Sequence, residues 1–288
     1  MEKVAYLRNK KTGAYIMGST DDSEIVHELP AGLYRQSLVP HPLGFHQEFF
    51  PKKFNEDLVK IDKDPYLARA KEVVRFFDSK THELYQDLKM KHFLGVLFYG
   101  APGSGKTCFT ETLVHTLVSK YNSVAILLSF SFDLSNTSNL VDGLRDNESQ
   151  HITLIADEFD KFTGKNSAGF LAFLDGYYTK NNVCFLATTN RFSMLSDQLT
   201  NRKSRFAIVQ ELSYAPLEIV EKFIHTIIPE KYSDKIELPE LLSHLDGKKL
   251  SLDDVKYVIL DILKNGSTPA EAISKLETKP QDYEEPED

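Results

Sequence analysis

The stretch "GAPGSGKT", residues 100–107, combines residue types and a spacing that can bind phosphate groups. A glycine-rich turn before a helix points backbone N–H groups at an anion, and Gly103 and Gly105 permit a close approach that a Cβ would block. Lys106 would bring its charge to the β- and γ-phosphate oxygens, and the hydroxyl of Thr107 would coordinate Mg²⁺. The spacing therefore predicts a Walker A loop that binds ATP with Mg²⁺. The predicted nucleotide contacts are Gly100, Ala101, Pro102, Gly103, Ser104, Gly105, Lys106, Thr107 and Cys108.

A pair of acidic residues follows later in the chain, where the apolar run of "HITLIADEFD" ends in Asp157 and Glu158. Asp157 is placed to hold Mg²⁺ through water, as a second metal-binding residue beside Thr107. Glu158 is placed to polarise the water that attacks the γ-phosphate. An acidic turn at the end of a strand is common and need not be catalytic. About fifty residues after a Walker A loop, however, the pair fits a Walker B motif, so we predict Lys106 and Glu158 as catalytic residues.

Three further polar residues extend the predicted site. Asn190 ends the run "CFLATTN" and could hydrogen-bond the γ-phosphate or the attacking water, although an Asn there also suits a helix cap or a turn. Arg202 and Arg205 lie three residues apart in "DQLTNRKSRF", and a solvated basic turn is the ordinary explanation of such a pair. If they faced the nucleotide of a neighbouring copy, they would stabilise the charge of the transition state in trans. We treat all three as candidate catalytic residues.

The elements that must position these residues are predicted from five short apolar runs. The runs are "FLGVLFYG", "SVAILLSF", "HITLIADE", "NVCFLATTN" and "RFAIVQEL". Near-continuous apolarity is typical of strands that are buried on both faces, and it predicts a parallel α/β sheet. After the first run, Phe109, Leu113 and Leu117 form an apolar helical stripe. The Walker A loop is therefore predicted to lie between a strand and a helix, which is the context that the motif requires.

The segment before this core has a different pattern. "KVAYLRNKKTGAYIMGS" predicts two short strands around a Lys-Thr-Gly turn, and "LPAGLYRQSLV" predicts a third strand. The following "PHPLGFHQEFFPKKF" has so many prolines and aromatic residues that we expect irregular chain there. Asp64-Pro65 then predicts the start of a helix, with Asp as N-cap and Pro in the first turn.

Only helices are predicted after residue 212. Their predicted starts are Pro216, Pro239, and two capping boxes, one of Ser251 with Asp254 and one of Thr268 with Glu271. Their predicted ends are Pro229, Gly247 and Gly266. We therefore expect four parts in the chain. They are a β-containing N-terminal region (1–59) that could bind a partner, an α/β nucleotide-binding core (60–212), a helical lid (213–276) and an acidic, disordered tail (277–288).

The composition narrows the class of protein. Hydrophobic residues make up 41% of the 288-residue chain, enough for a buried core, and no apolar run approaches the roughly 18 residues of a membrane helix. The first residues carry charges where a signal peptide would be apolar, and both cysteines lie in apolar stretches. We therefore expect a cytoplasmic protein in a reducing compartment. A net charge of −8 argues against nucleic acid as the main partner.

Taken together, these motifs resemble the AAA family of ATPases, in the narrow sense of that name. The likeness lies in "GAPGSGKT", "LIADEFD", "FLAFLDGYYTKNNVCFLATTN" and "LSDQLTNRKSRF", and it covers about residues 60–270. The resemblance implies a five-stranded parallel sheet in the order 5-1-4-3-2 with a C-terminal helical lid. It also implies that Asn190 is sensor 1 and that Arg202 and Arg205 are arginine fingers. Ser251 and Asp254 match the Gly-x-Ser-x-x-Asp motif of the family's lid only loosely.

The resemblance implies a homo-oligomer, either a hexamer or a similar ring, that couples hydrolysis of Mg-ATP to remodelling or translocation of a protein partner. Within the family, the short Ser/Asn/Asp-rich linker "SFDLSNTSNLVDGLRDNESQHIT" is similar to that of the mitochondrial branch that translocates the folded Rieske protein. An ATP-dependent assembly switch or scaffold is the alternative. A DNA-dependent helicase or loader is disfavoured by the net charge, and a GTPase by the lack of an Asn-Lys-x-Asp element.

Overall fold

The structure of this 288-residue protein is a computed structural model. It describes residues 6–9, 14–17, 23–26, 28–41, 44–55, 67–144, 149–163, 168–175, 181–200, 202–212 and 214–276. Within these ranges, no helix is long and apolar enough to cross a membrane.

Five strands form the N-terminal part of the chain. They are β1 (Tyr6–Asn9), β2 (Tyr15–Met17), β3 (Ser23–Val26), β4 (Gly32–His41) and β5 (Gly44–Pro51). β1 and β2 are antiparallel neighbours, which confirms the two predicted strands, while the Lys-Thr-Gly turn predicted between them lies outside the described residues. The predicted third strand, residues 29–39, is confirmed from Gly32 onwards as β4. β3, which pairs with the other side of β1, was not predicted.

The prediction of irregular chain over residues 40–54 was wrong, because residues 44–51 form β5. β5 runs antiparallel to β4, from Tyr34 opposite Pro51 to His41 opposite Gly44. Pro51 is the last residue of its strand, where the missing N–H of proline costs little. Phe49 is fully buried, so an aromatic residue that looked unsuited to a regular element packs into the core instead.

The five predicted core strands are all present. They are β6 (Phe93–Tyr99), β7 (Val124–Leu127), β8 (Ile152–Ala156), β9 (Val183–Thr189) and β10 (Ile208–Glu211). They lie parallel in the order β10-β6-β9-β8-β7, and the sheet then continues through β4-β5-β2-β1-β3. The predicted five-stranded sheet is therefore one half of a ten-stranded sheet. The extension arises because β4 pairs with β7, in parallel, from Gly32 opposite Val124 to Arg35 opposite Leu127.

Helices cover both faces of the core sheet. They are α1 (Leu67–Phe76), α2 (Ser79–Asp87), α3 (Lys106–Tyr121), α4 (Thr137–Leu144), α5 (Asp160–Thr163), α6 (Ala168–Leu174) and α7 (Asp197–Thr200). Alternate residues of β9 belong to two different apolar clusters, as expected when both faces of a strand are buried. Cys184 and Leu186 pack with α1 and α3, and Phe185 packs with α6. The helix start predicted at Asp64-Pro65 lies outside the described residues.

The helical domain after β10 has a core of its own. Its helices are α8 (Leu217–Ile227), α9 (Leu238–Leu245), α10 (Leu252–Asn265) and α11 (Pro269–Ser274), with a 3-10 helix at Glu230–Lys235. The predicted capping boxes are present, because Ser251 caps α10 with Asp254, and Thr268 caps α11 with Glu271. α10 ends at Gly266 in the left-handed conformation, as predicted. The predicted acidic tail, 277–288, lies outside the described residues.

The close approach of β6 to the chain before β10 leads to the first prediction. A Cβ at Gly95 would lie 1.8 Å from the backbone oxygen of Arg205, which no side-chain rotation can relieve. Gly95→Ala should therefore lower the free energy of unfolding by about 1–3 kcal/mol. Gly32→Ala in β4 is the matched control, because the nearest atom to its added Cβ lies 3.3 Å away in the side chain of Tyr34, so a shift of a few tenths of an ångström relieves the contact. Urea titration measures both, and equal stabilities would contradict the prediction.

Candidate functional site

The predicted phosphate-binding loop joins β6 to α3, as its sequence required. Gly100, Gly103 and Gly105 have φ angles of 150°, 75° and 91°, which side-chain-bearing residues rarely adopt. A Cβ at Gly100 would also lie 2.2 Å from the backbone oxygen of Leu212. α3 begins directly after Gly105, so its first N–H groups and the positive end of its dipole border the loop. The local geometry is therefore that of an anion-binding turn.

Lys106 lies folded against this loop. Its Nζ donates to the backbone oxygens of Gly100 and Ala101, at 2.8 and 2.7 Å, and to Oγ of Ser104 at 3.3 Å. Burial disfavours the ammonium and lowers the pKa of Lys106 from 10.5 to about 8, although the nearby charge of Asp157 opposes this shift. A phosphate at the loop would supply the negative charge that the buried ammonium lacks.

The two acidic residues follow β8 directly and are held by β9. The hydroxyl of Thr188 donates to Oδ1 of Asp157 and accepts from the N–H of Glu158 at 3.2 Å. The backbone oxygen of Thr188 accepts from the N–H of Phe159 at 2.6 Å. Glu158 itself has a φ of 51°, an uncommon value that turns the chain sharply from β8 into α5. One buried residue of β9 therefore fixes the whole acidic turn.

The end of β9 also brings Asn190 to the phosphate-binding loop. Tyr99 of β6 is the register partner of Thr189, and the N–H of Gly100 donates to the backbone oxygen of Thr189 at 3.3 Å. Asn190 is the next residue, half-buried at this edge. Since β6, β9 and β8 are adjacent and parallel, the loop, Asn190 and the acidic turn beginning at Asp157 stand together at one edge of the sheet.

The two candidate arginines have different surroundings. Nε and Nη2 of Arg205 donate to the two carboxylate oxygens of Asp175, at 2.7 and 2.5 Å, and the Arg205 side chain is only 6% exposed. This hydrogen-bonded pair lowers the pKa of Asp175 and raises that of Arg205. Nη1 of Arg202 lies 3.4 Å from the same carboxylate, but its side chain is 62% exposed. Arg202 is therefore accessible from outside the chain, whereas Arg205 is held within it.

The helical domain contacts the loop through the start of α10. A Cβ at Gly103 would lie 2.7 Å from Oγ of Ser251, and one at Gly105 would lie 3.9 Å from the side chain of Leu252. Ser251 accepts from the N–H of Asp254 and donates to its carboxylate, so it is fixed in position. The loosely matching lid motif therefore lies against the phosphate-binding loop.

The residues at this edge suit Mg-ATP. Thr107, in the first turn of α3, and Asp157 offer a hydroxyl and a carboxylate oxygen, which are donors that Mg²⁺ prefers. Among the described residues no group of three or more His, Cys, Asp or Glu side chains could hold a metal. Two oxygen donors from the chain are the number expected when phosphates and water complete the shell. The glycines provide the space for phosphates, and Lys106 provides the charge.

Comparison with known proteins identifies the domain that contains this site. Residues 96–214 match the family described as "ATPase family associated with various cellular activities (AAA)". The chain is 26% identical over 189 residues to a proteasome-activating nucleotidase of Methanoregula boonei, and 27% identical over 214 residues to one of Thermococcus onnurineus. Residues 96–214, which contain the loop, the acidic turn, Asn190 and both arginines, therefore form an AAA ATPase domain. The matches cover 59% and 69% of the chain but 42% and 52% of those relatives, so the chain spans about half the length of the curated relatives it matches.

Several residues of this AAA site were missed in the sequence. Thr188 lies inside the quoted run "CFLATTN", and Asp175 lies in the quoted "FLAFLDG", but neither residue was given a role. The polar ends of otherwise apolar segments were the available signal. Lys161, which donates to Oε2 of Glu158 at 2.5 Å, gave no signal, because an isolated lysine in a short helix is typical of any surface.

The lowered pKa of Lys106 predicts proton uptake when the AAA site binds nucleotide. With a pKa of about 8, much of Lys106 is neutral at pH 8.5, and an adjacent polyphosphate favours the charged form. Binding at pH 8.5 should therefore take up more than about half a proton per site, and affinity should fall about tenfold between pH 7 and 9. Calorimetry in two buffers of different ionisation enthalpy measures the uptake.

At pH 7 Lys106 is already protonated, so the same titration should show little uptake that depends on this residue. A heat of binding that is independent of the buffer at pH 8.5 would contradict the assignment of Lys106 as the phosphate ligand.

Proposed function

We propose that this protein hydrolyses Mg-ATP at an interface between two of its copies and couples the reaction to remodelling or translocation of a protein partner. The observation that carries the proposal is the convergence of Lys106, the Asp157–Glu158 turn and Asn190 at the ends of three adjacent parallel strands. Residues with the chemistry to bind phosphate and residues with the chemistry to activate water thus lie at one edge of the sheet, which supports the proposal.

In this proposal each residue has a distinct role. The loop N–H groups and Lys106 bind the β- and γ-phosphates, and Glu158 accepts a proton from the attacking water. Asn190 orients that water or the γ-phosphate. Thr107 and Asp157 would hold Mg²⁺, which when bound neutralises charge on the phosphates.

The interface is supported by the exposure of Arg202. Its guanidinium is accessible to a second copy, and an arginine supplied in trans is an established way to stabilise the charge of a phosphoryl-transfer transition state. Arg205 shares Asp175 with Arg202, so we propose that the pair acts as one unit, with Arg205 anchoring the segment. A head-to-tail contact of this kind forms a ring when the rotation between neighbours closes on itself, and we propose a hexamer or a similar homo-oligomer.

A protein is proposed as the partner, and the names of the relatives support this. They are called proteasome-activating nucleotidases, which describes nucleotide-consuming proteins that act on another protein. The net charge of −8 argues against nucleic acid. We propose that residues 1–59 select the partner and that residues 213–276 form a lid that moves with the nucleotide state. The likeness to the Rieske-protein translocases stays a prediction.

Substitution of the proposed base separates the proposed function from an assembly switch. Glu158→Gln keeps the size of the side chain but accepts protons poorly, so ATP turnover should fall at least about a hundredfold while ATP affinity stays near that of the wild type. Phosphate release and fluorescent-nucleotide binding measure the two properties, with Glu240→Gln on α9 as the matched control. A variant that no longer hydrolyses ATP yet keeps its effect on a partner would contradict the remodelling proposal and favour the switch.

Mixing two inactive variants tests the arginine in trans. Arg202→Ala subunits keep the phosphate-binding loop, and Lys106→Ala subunits keep the arginine. In an equal random mixture, about a quarter of the sites combine a subunit whose Lys106 is intact with a neighbour whose Arg202 is intact. Turnover should therefore return to roughly a quarter of the wild-type value. Steady-state hydrolysis over a series of mixing ratios measures this recovery. No recovery at any ratio would show that Arg202 does not act across an interface.

A further inference from the structure

The proposed catalytic glutamate is held by a side chain without an assigned role. Lys161, in α5, donates through Nζ to Oε2 of Glu158 at 2.5 Å, and both side chains are partly exposed, at 52% and 38%. A carboxylate oxygen that accepts from an ammonium group has fewer lone pairs available for a water molecule. The contact with Lys161 therefore competes with the activation of water by Glu158.

A second contact determines where Lys161 lies. Its Nζ is 5.1 Å from the centre of the Phe130 ring, within the range of a cation–π interaction. The Phe130 ring also packs against Phe162, with ring centroids 5.4 Å apart, and Phe162 is buried in the core. Phe130 is thus supported by the core on one side, although 47% of it remains exposed. Lys161 is placed between this ring and the carboxylate of Glu158.

The turn that contains Phe130 is joined to the N-terminal strands. The turn follows β7 and is closed by the N–H of Phe132, which donates to the backbone oxygen of Ser129 at 2.8 Å. The N–H of Ser129 donates to Oε1 of Gln36 in β4 at 3.3 Å, and Gln36 is buried. A continuous set of contacts therefore runs from the N-terminal half of the sheet to the acidic turn.

We propose that Lys161 is a positioning residue that restrains Glu158, and that Phe130 and Gln36 maintain this restraint. The proposal rests on the proposed function, because it concerns the same hydrolysis step. Lys161 takes no part in the bond changes; it lowers the fraction of time for which the Glu158 carboxylate is available to water. Displacement of the Phe130 turn would release Lys161 and raise the rate of ATP turnover. A change in the N-terminal strands, which contact this turn through Gln36, would thereby alter the rate.

The test is the steady-state rate of ATP hydrolysis by the full chain. An exposed ion pair biases a side chain rather than locking it, so Lys161→Ala should raise kcat about two- to five-fold with KM changed by less than about twofold. Lys161→Arg keeps the charge and should stay near the wild-type kcat. The matched control is Lys231→Ala, because Lys231 also lies over an aromatic ring, that of Tyr232 at 4.8 Å, but in the helical domain. It should leave kcat unchanged.

Double variants test whether the contacts act through Lys161. Phe130→Ala and Gln36→Leu should each raise kcat in the wild-type background and should add nothing in the Lys161→Ala background. Thermal unfolding and nucleotide affinity are measured for every variant. Because Gln36 is buried, only Phe130→Ala is used to judge the link if Gln36→Leu lowers stability.

An unchanged or lowered kcat in Lys161→Ala, or an effect on KM alone, would overturn the restraint. Effects of Phe130→Ala that persist without Lys161 would overturn the link through the Phe130 turn. Failure of the proposed function gives a different result. In that case the wild-type chain does not hydrolyse ATP, or Glu158→Gln hydrolyses it at the wild-type rate.

Discussion

The candidate site depends on the hydrogen bonds that the end of β9 makes to its two neighbours. On one side, the backbone oxygen of Thr189 accepts from the N–H of Gly100 and fixes where the phosphate-binding loop begins. On the other side, the hydroxyl of Thr188 bonds to both residues of the Asp157–Glu158 pair. Both threonines are almost fully buried, so breaking any of these bonds would leave a polar group unsatisfied in the core. The glycine-rich loop and the Asp157–Glu158 turn are therefore held in one register by a single strand.

The arginine segment is held by a second constraint of the same kind. The backbone of Arg205 lies directly against Gly95 of β6, and its guanidinium forms two hydrogen bonds with Asp175. A largely buried charge is tolerated only when it is paired in this way, because the cost of desolvation is otherwise several kcal/mol. Because Arg205 is paired with Asp175 inside the chain, Arg202 is the member of the pair that a second copy can reach. The sequence alone could not indicate which of the two arginines is exposed.

Most of the core could be predicted from the sequence, because the signals there are local. Five continuous apolar runs indicated the parallel strands, and the Ser251 and Thr268 capping boxes indicated two helices of the helical domain.

The features that were not predicted depend on pairing between residues that are far apart in the sequence. β5 was not predicted because the prolines in and around it argue against a strand, although its aromatic residues favour one, and its strand geometry comes from pairing with β4. For the same reason, nothing local to residues 32–35 indicates that they pair with β7. The roles of Thr188, Asp175 and Lys161 likewise depend on partners about 30 residues away or on side-chain packing.

The extension of the sheet determines which parts of the chain can move against each other. β4 and β7 share a parallel ladder, and the segment after β5 is fastened to α3 because Glu111 accepts from the N–H of Asn55 at 2.9 Å and pairs with Lys52. Displacing the N-terminal strands from the core would break these bonds together and expose the apolar cluster that β4 shares with β7. The helical domain, by contrast, has a separate apolar core and meets the phosphate-binding loop through Ser251 and Leu252. Moving the helical domain against the core therefore costs less free energy than moving the N-terminal strands against the core, and we expect motion that accompanies nucleotide binding to occur there. If the N-terminal strands influence the site, they must do so through small changes in side-chain position across the shared sheet, because these strands cannot move as a rigid body against the core.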